Sequence, residues 1–191
     1  MTKGRLEAFS DGVIAILITI MVLELKVPHG HDWHALRPLL PVFLTYVLSF
    51  VFLGIYWNNH HHMLHATARI NGRILWANMH LLFWLSLVPV TTGWMGESGL
   101  EPAPTALYGA VLLMSAIAFT ILQREIIACE GRDSKLAQAV GRTGKEKVSA
   151  GLYVAAVPLA LASPTLSVLI YVLVAAIWLV PDRRIEALLR D

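Results

Sequence analysis

Long apolar segments separated by short polar links make up most of this chain. The first covers residues 9–25, and its polar positions are Ser10, Asp11, Thr19 and Glu24. At 1.5 Å per residue, a helix of this length extends about 26 Å, which is most of the hydrocarbon thickness of a bilayer. The pattern therefore predicts a membrane-spanning first helix.

Later apolar segments predict five more spans, which gives six in total. One apolar run, residues 148–180, would measure about 50 Å as a single helix, so its interruption at Ser163-Pro164-Thr165 predicts two short helices. Pro89 predicts a kink or a looser last turn in the third span. The predicted fold is an all-α integral membrane protein, one domain over residues 1–191 without a soluble part, with spans at 9–25, 39–57, 74–94, 105–122, 148–162 and 165–180.

Composition supports a membrane protein, because 57% of the residues are hydrophobic and only 15% are charged. Typical soluble domains are about 25% charged. A net charge of +2, with the basic residues distributed between spans, does not indicate a nucleic-acid partner. The single cysteine, Cys129, excludes an intrachain disulfide and thiol metal motifs. No small-residue cleavage site follows the first apolar run, so we expect an uncleaved first span.

The distribution of Lys and Arg predicts the number and the orientation of the spans. Cytoplasmic segments carry an excess of these residues. We expect a protein of the cell (plasma) membrane with its N- and C-termini in the cytoplasm. With six spans, only Lys26 and Arg37 then lie outside the cell. Five spans would instead place Arg183, Arg184 and Arg190 outside. The predicted inside residues are Lys3, Arg5, Arg69, Arg73, Arg124, Arg132, Lys135, Arg142, Lys145, Lys147, Arg183, Arg184 and Arg190.

The first helix has one distinctive face and one distinctive charge. Helical spacing places Phe9, Gly12, Val13, Ile16, Thr19, Ile20 and Leu23 on that face. The face could serve helix packing or lipid contact, and the Thr19 hydroxyl could bond to its own helix. Asp11 points elsewhere, and a charge at the centre of a membrane helix costs at least about 2.5–3.5 kcal/mol. We therefore expect Asp11 to be paired or to face a polar cavity.

The motif Arg5-x-x-x-Phe9-Ser10-Asp11, followed by Gly12-Val13-x-Ala15-Ile16-x-x-Thr19, resembles the signature of the transmembrane protein 175 family of potassium channels. Tyr56-Trp57-x-x-His60-His61 and Trp76-x-Asn78 extend the resemblance, which reaches about residue 95. A single short copy is similar to the prokaryotic branch, since the animal proteins carry the unit twice.

This resemblance implies a potassium channel in which the first helices of a homotetramer line the pore. By position, Ile16 matches the narrowest hydrophobic constriction and Thr19 matches a polar ring. Ile20 and Leu23 match further hydrophobic layers. The signature residues Arg5, Phe9, Ser10 and Asp11 match those that lock neighbouring helices together.

Polar and aromatic residues at the cytoplasmic ends of the second and third spans could meet this signature. They are Trp57, His61, Trp76, Asn78 and His80. We hypothesise that some of them form a structural brace with Arg5, Ser10 and Asp11, because lipid cannot satisfy buried polar groups. The alternative for the tryptophans is an ordinary interfacial position.

The histidines between the second and third spans do not predict a metal site. His61 and His65 have the i, i+4 spacing of a zinc pair, but no nearby Cys, Asp or Glu completes it. A patch that responds to pH is the favoured interpretation of His60, His61, His62 and His65. We expect no cofactor, with potassium as the permeant ion.

Side chains must line any pore, because the chain lacks a TVGYG-type filter. Rings of Ile16, Ile20 and Leu23 would form a dry constriction that gates by dewetting, and Glu24 near the outer mouth could concentrate monovalent cations. A proton-coupled or metal cation transporter is the alternative, and it would depend on Asp11 and the histidines. A membrane enzyme is not expected, since the chain has no nucleophile elbow, metal motif or phosphate loop.

Overall fold

A computed structural model of the chain describes residues 2–131, 134, 136, 137 and 144–179, and the regular structure in these residues is entirely helical. The helices are α1 (Lys3–Leu23), a 3₁₀ helix (Trp33–Leu39), α2 (Leu40–His65), α3 (Gly72–Ser86), α4 (Val88–Glu97), α5 (Pro102–Glu130), α6 (Lys145–Leu159) and α7 (Pro164–Leu179). Arg132, Lys135, Arg142, Val180, Arg183, Arg184 and Arg190, used above to predict orientation and the last span, lie outside the described residues.

Six membrane helices fit this arrangement. Four segments among the described residues are long and apolar enough to cross a bilayer: α1, the 3₁₀ helix with α2, α3 with α4, and α5. The other two helices are short, with 15 residues in α6 and 16 in α7. They are separated by a turn that ends before Pro164, so the long apolar run near residue 160 does form two helices.

The third span consists of two consecutive helices. Helix α3 ends at Ser86 and α4 begins at Val88, with Leu87 between them. Pro89 has no backbone N–H to donate to the preceding turn, which accounts for the break at this point. The sequence predicted a kink or a looser last turn near Pro89, and the structure interrupts the helix at Leu87.

Helix α2 is longer than the predicted span, which ended at Trp57. It continues to His65, so the histidine-rich stretch is helical rather than a link. Within it, Asn59 Nδ2 donates a hydrogen bond to the Ile55 carbonyl at 2.8 Å. Hydropathy located the end of the apolar segment, whereas the backbone continues because polar side chains are satisfied within the helix and by neighbouring helices.

Helix α1 packs on α2, α3 and α4, and α5 contacts α3, α4, α6 and α7. Close packing of α5 against α7 depends on Gly109, because a Cβ there would overlap the hydroxyl of Tyr171. That hydroxyl donates to the Thr105 carbonyl at 3.2 Å. A side chain at position 109 would therefore displace the Tyr171 ring and disturb its hydrogen bond to Thr105.

The two ends of the bundle differ in charge. At one end, Lys3 Nζ donates to the His65 carbonyl at 2.7 Å. We call this the basic end, because it also carries Arg5, Arg69, Arg73 and Arg124. At the opposite end, Lys26 forms an ion pair with Glu97. The N-terminus of α1 therefore lies at the basic end and the C-terminus of α1 at the opposite end.

Candidate functional site

Helix α1 has two faces of different character. Its buried residues, Leu6, Ser10, Ile14, Leu17 and Met21, recur every three or four positions and contact the rest of the bundle. On another side lie Ile16, 57% exposed, Ile20, 41% exposed, and Leu23, 79% exposed. The stripe predicted from sequence is therefore uncovered in a single subunit, so it must meet lipid, another copy of the chain or an ion path.

Thr19 lies exposed beside this stripe. Its hydroxyl donates to the Ile16 carbonyl at 2.9 Å, which is the local helix bond considered from sequence. A hydroxyl oxygen has two acceptor lone pairs, and donating its hydrogen leaves them available. Thr19 can therefore be bonded to its own helix and still present oxygen to a cation.

A buried chain of hydrogen bonds connects three helices at the level of Ser10. His60 Nε2 on α2 lies 2.7 Å from Asn78 Oδ1 on α3, and Asn78 Nδ2 donates to Ser10 Oγ on α1 at 3.0 Å. Because an amide oxygen only accepts, the assigned geometry has His60 Nε2 donating. Each interhelical hydrogen bond of this kind contributes about 0.6–2 kcal/mol. We call these three residues the buried brace.

Asp11 meets α2 at the edge of the buried brace. Trp57 Nε1 donates to Asp11 Oδ1 at 3.0 Å, so the intramembrane carboxylate has a partner. The Trp57 ring is stacked with His61, with ring centroids 6.1 Å apart, and His61 is stacked with His65 at the same distance. Thus a column of three rings runs down α2 beside Asp11.

The remaining signature residues lie outside the buried brace of a single subunit. Arg5 and Phe9 are exposed on the side of α1 that carries Ile16, and Trp76 on α3 is 78% exposed. His80 accepts a hydrogen bond from Trp84 Nε1 at 2.9 Å within its own helix. These four positions therefore contribute little to holding one subunit together.

Sequence analysis did not single out His60 for the brace and named His61 instead. His60 is 1% exposed, whereas His61 is on the exposed side of α2. A signal was present, because Leu53, His60 and Leu64 recur at helical spacing and both leucines are buried. Extending α2 beyond Trp57 was the step needed to use it.

We expect Asp11→Ala and Trp57→Phe each to destabilise the protein, and the double variant to lose less stability than the sum of the two, because both substitutions remove the same interhelical hydrogen bond. A double-mutant cycle should give a coupling near 0.6 kcal/mol, the average for such bonds in membrane proteins. Asp11→Asn keeps an acceptor oxygen and should retain most of the coupling. Unfolding titrations in mixed detergent would measure it, and strictly additive effects would show that the bond does not brace the helices.

Near the opposite end, two carboxylates flank the C-terminus of α1. Glu24 Oε2 lies 3.4 Å from where a Cβ on Gly93 would be, so this side chain rests against α4. The hydrogen bond and charge of Glu97 raise the pKa of the Lys26 amine above its usual range. Lys26 therefore stays protonated and ties the segment after α1 to the end of α4.

Metal binding has no structural support in the described part of the chain. No three His, Cys, Asp or Glu side chains among these residues lie close enough to hold an ion. The histidines of α2 instead divide between the buried hydrogen bond of His60 and the ring stack of His61 and His65.

Comparisons with known proteins agree with this architecture. Residues 5–89 match the profile of a family described as the endosomal/lysosomal potassium channel TMEM175. A potassium channel of Chryseobacterium sp. (strain P1-3) is 56% identical over 191 residues, 100% of both chains. A potassium channel of Streptomyces collinus is 34% identical over 188 residues, 88% of this chain and 91% of the relative.

A solved structure is similar over nearly the same length. The crystal structure of a homolog of the lysosomal potassium-selective channel TMEM175 from Chamaesiphon minutus has a TM-score of 0.80 and 31% identity. The match covers 92% of this chain and 95% of that chain. Similarity therefore continues well past residue 95, where the motifs recognised in the sequence end.

Proposed function

This chain belongs to the TMEM175 family of potassium channels, and we propose that the exposed face of its first helix borders the ion path. The protein is a potassium channel of the membrane and not an enzyme. The observation that carries the proposal is the pair of faces on α1, one bonded into the bundle through Ser10 and the other uncovered at Ile16, Ile20 and Leu23.

The uncovered face of α1 differs from a surface suited only to lipid. It has the Thr19 hydroxyl in its middle and Arg5 at one end. The exposed large side chains of α7, by comparison, are aliphatic: Leu166, Leu169, Val172, Leu173 and Leu179. Polar groups at membrane depth normally face the interior of an assembly or a water-filled cavity. The surface of α1 is therefore better suited to an axis between copies than to acyl chains.

Copies of α1 around a shared axis would produce the constriction. From Ile16 to Leu23 the helix rises about 10 Å, so three hydrophobic rings would follow one another with the Thr19 hydroxyls between them. A narrow hydrophobic passage excludes water and prevents conduction when it tightens. Ile16 would be the narrowest ring, and Glu24 would attract cations at the mouth. These rings carry no charge, so they would discriminate only modestly among monovalent cations.

We further propose a homotetramer in the plasma membrane with the basic end towards the cytoplasm. Fourfold symmetry would place four copies of α1 around the axis and cover the stripe that one subunit leaves exposed. The distribution of Lys and Arg supports this orientation through the positive-inside rule.

Thr19→Ala is expected to lower potassium flux through reconstituted protein about twofold to tenfold. The variant removes one acceptor from each copy, and a hydrogen bond contributes about 0.5–1.5 kcal/mol. Thr120→Ala is the matched control, because its hydroxyl also bonds its own helix, to the Ala116 carbonyl at 2.9 Å. Potassium and sodium flux into liposomes would be compared. Equal effects of the two variants would remove Thr19 from the ion path.

A further inference from the structure

A cavity of about 380 Å³ lies between α2, α5, α6 and α7, away from α1. Its wall is largely apolar and includes Phe52, Ala116, Phe119, Tyr153 and Trp178. Residues of α1 do not line it. The cavity therefore belongs to neither the exposed stripe nor the buried brace.

Charged side chains surround the cavity where it approaches the basic end. Arg124 on α5 and Lys147 on α6 are exposed there, and neither forms an ion pair within the described residues. The one carboxylate in the lining, Glu146, accepts a hydrogen bond from Gln123 Nε2 at 3.1 Å. The opening therefore presents two cations and one carboxylate that already has a neutral partner.

The cavity has the dimensions and polarity of an amphiphile site. Arg124 and Ala116 are separated by about two turns of α5, so the lining extends about 12 Å along the axis of this helix from charged to apolar residues. Trp178 Nε1 donates to Ser149 Oγ at 2.9 Å and holds α7 against α6 beside the opening. A small soluble anion would satisfy the cations but leave the apolar wall unfilled.

We propose that this cavity binds an anionic phospholipid, with its phosphate on Arg124 and Lys147 and one acyl chain between α2 and α5. Basic pockets between membrane helices at the cytoplasmic side are suited to anionic headgroups. A neutral lipid could fill the apolar part but would gain little from the two cations. The bound lipid would fill space between the short helices α6 and α7 and the longer α2 and α5.

Quenching of Trp178 fluorescence tests this site directly. Wild type and Trp178→Phe would be reconstituted in phosphatidylcholine vesicles. In one series the vesicles would contain increasing fractions of brominated phosphatidylglycerol, and in the other increasing fractions of brominated phosphatidylcholine. Subtracting the variant signal isolates Trp178 from the other tryptophans. Brominated phosphatidylglycerol should reach half-maximal quenching at a mole fraction about 25-fold lower, because each of the two basic residues contributes about fivefold.

Three variants decide between a specific site and general surface charge. The double variant Arg124→Gln, Lys147→Gln should lose the preference for phosphatidylglycerol. The double variant Arg69→Gln, Arg73→Gln removes equal charge at the basic end outside this cavity and should keep the preference. Ala116→Phe should reduce quenching by filling the apolar part. Equal quenching by both lipids in wild type, equal losses in the two double variants, or unchanged quenching in Ala116→Phe would overturn the proposal.

Discussion

Replacing Ile16 by Asn is expected to raise potassium flux through the reconstituted channel about tenfold or more, since a barrier lowered by about 1.4 kcal/mol is sufficient for that increase. Ile16 is 57% exposed on the proposed pore face and would form its narrowest ring. An amide at this position can hydrate a cation, so the constriction would remain wet when it narrows. The measurement is potassium uptake into liposomes at equal protein density.

Leu169→Asn is the matched control for this experiment. Leu169 on α7 is 58% exposed, almost the same as Ile16, and it lies on the aliphatic surface that we assign to lipid. The control variant should leave potassium flux near the wild-type value. If both variants raise flux to the same extent, a polar side chain at any exposed position would cause leakage and Ile16 would have no special place in the ion path.

Asn78→Leu is expected to destabilise the folded protein by about 2–4 kcal/mol, because it leaves two buried partners without their hydrogen bonds. Leu is similar in size to Asn, so the main loss is that of the hydrogen bonds and not of packing. Asn78 is fully buried, and it connects His60 on α2 with Ser10 on α1. Unfolding titrations in mixed detergent would give the free-energy difference.

A pair of buried serines provides the control for the brace. Ser10→Ala removes the acceptor of the Asn78 amide and should cost about 1–3 kcal/mol. Ser115 is equally buried, but its hydroxyl has no hydrogen-bond partner among the described residues. Ser115→Ala should therefore have little effect or stabilise the protein. Equal losses for the two serine variants would show that the buried brace adds nothing beyond packing.

Much of this architecture follows from the sequence because membrane helices obey strong constraints. Apolar length predicts the spans, and Pro89 and Pro164 fall where helices break or begin. The spacing on α1 separates Ser10 from Ile16 without any knowledge of neighbouring helices. The cost of a charge in lipid predicts a partner for Asp11, and Trp57 supplies it.

Other features depend on three-dimensional packing that the sequence pattern does not encode. The predicted end of the second span excluded His60 from the membrane helix, and only the longer α2 places it beside Asn78. Four separate helices line the cavity that we propose binds a lipid, so its residues share no motif. Trp76 and His80 occur in the signature region but point away from the buried brace. Trp76 and His80 are each two residues from Asn78, but positions two apart on a helix face nearly opposite directions. Closeness in sequence to Asn78 therefore did not predict membership of the buried brace.

Thiol modification at Leu23 tests the central claim most directly. Leu23 is 79% exposed at the end of α1 that we assign to the outside, and Cys129 is the only native cysteine. Leu23→Cys would be prepared with Cys129→Ser, and potassium flux measured before and after a positively charged, water-soluble methanethiosulfonate reagent. We predict that modification blocks most of the flux, because cations would be attached around a narrow passage. Unchanged flux after complete modification, verified by mass, would contradict an ion path bordered by α1.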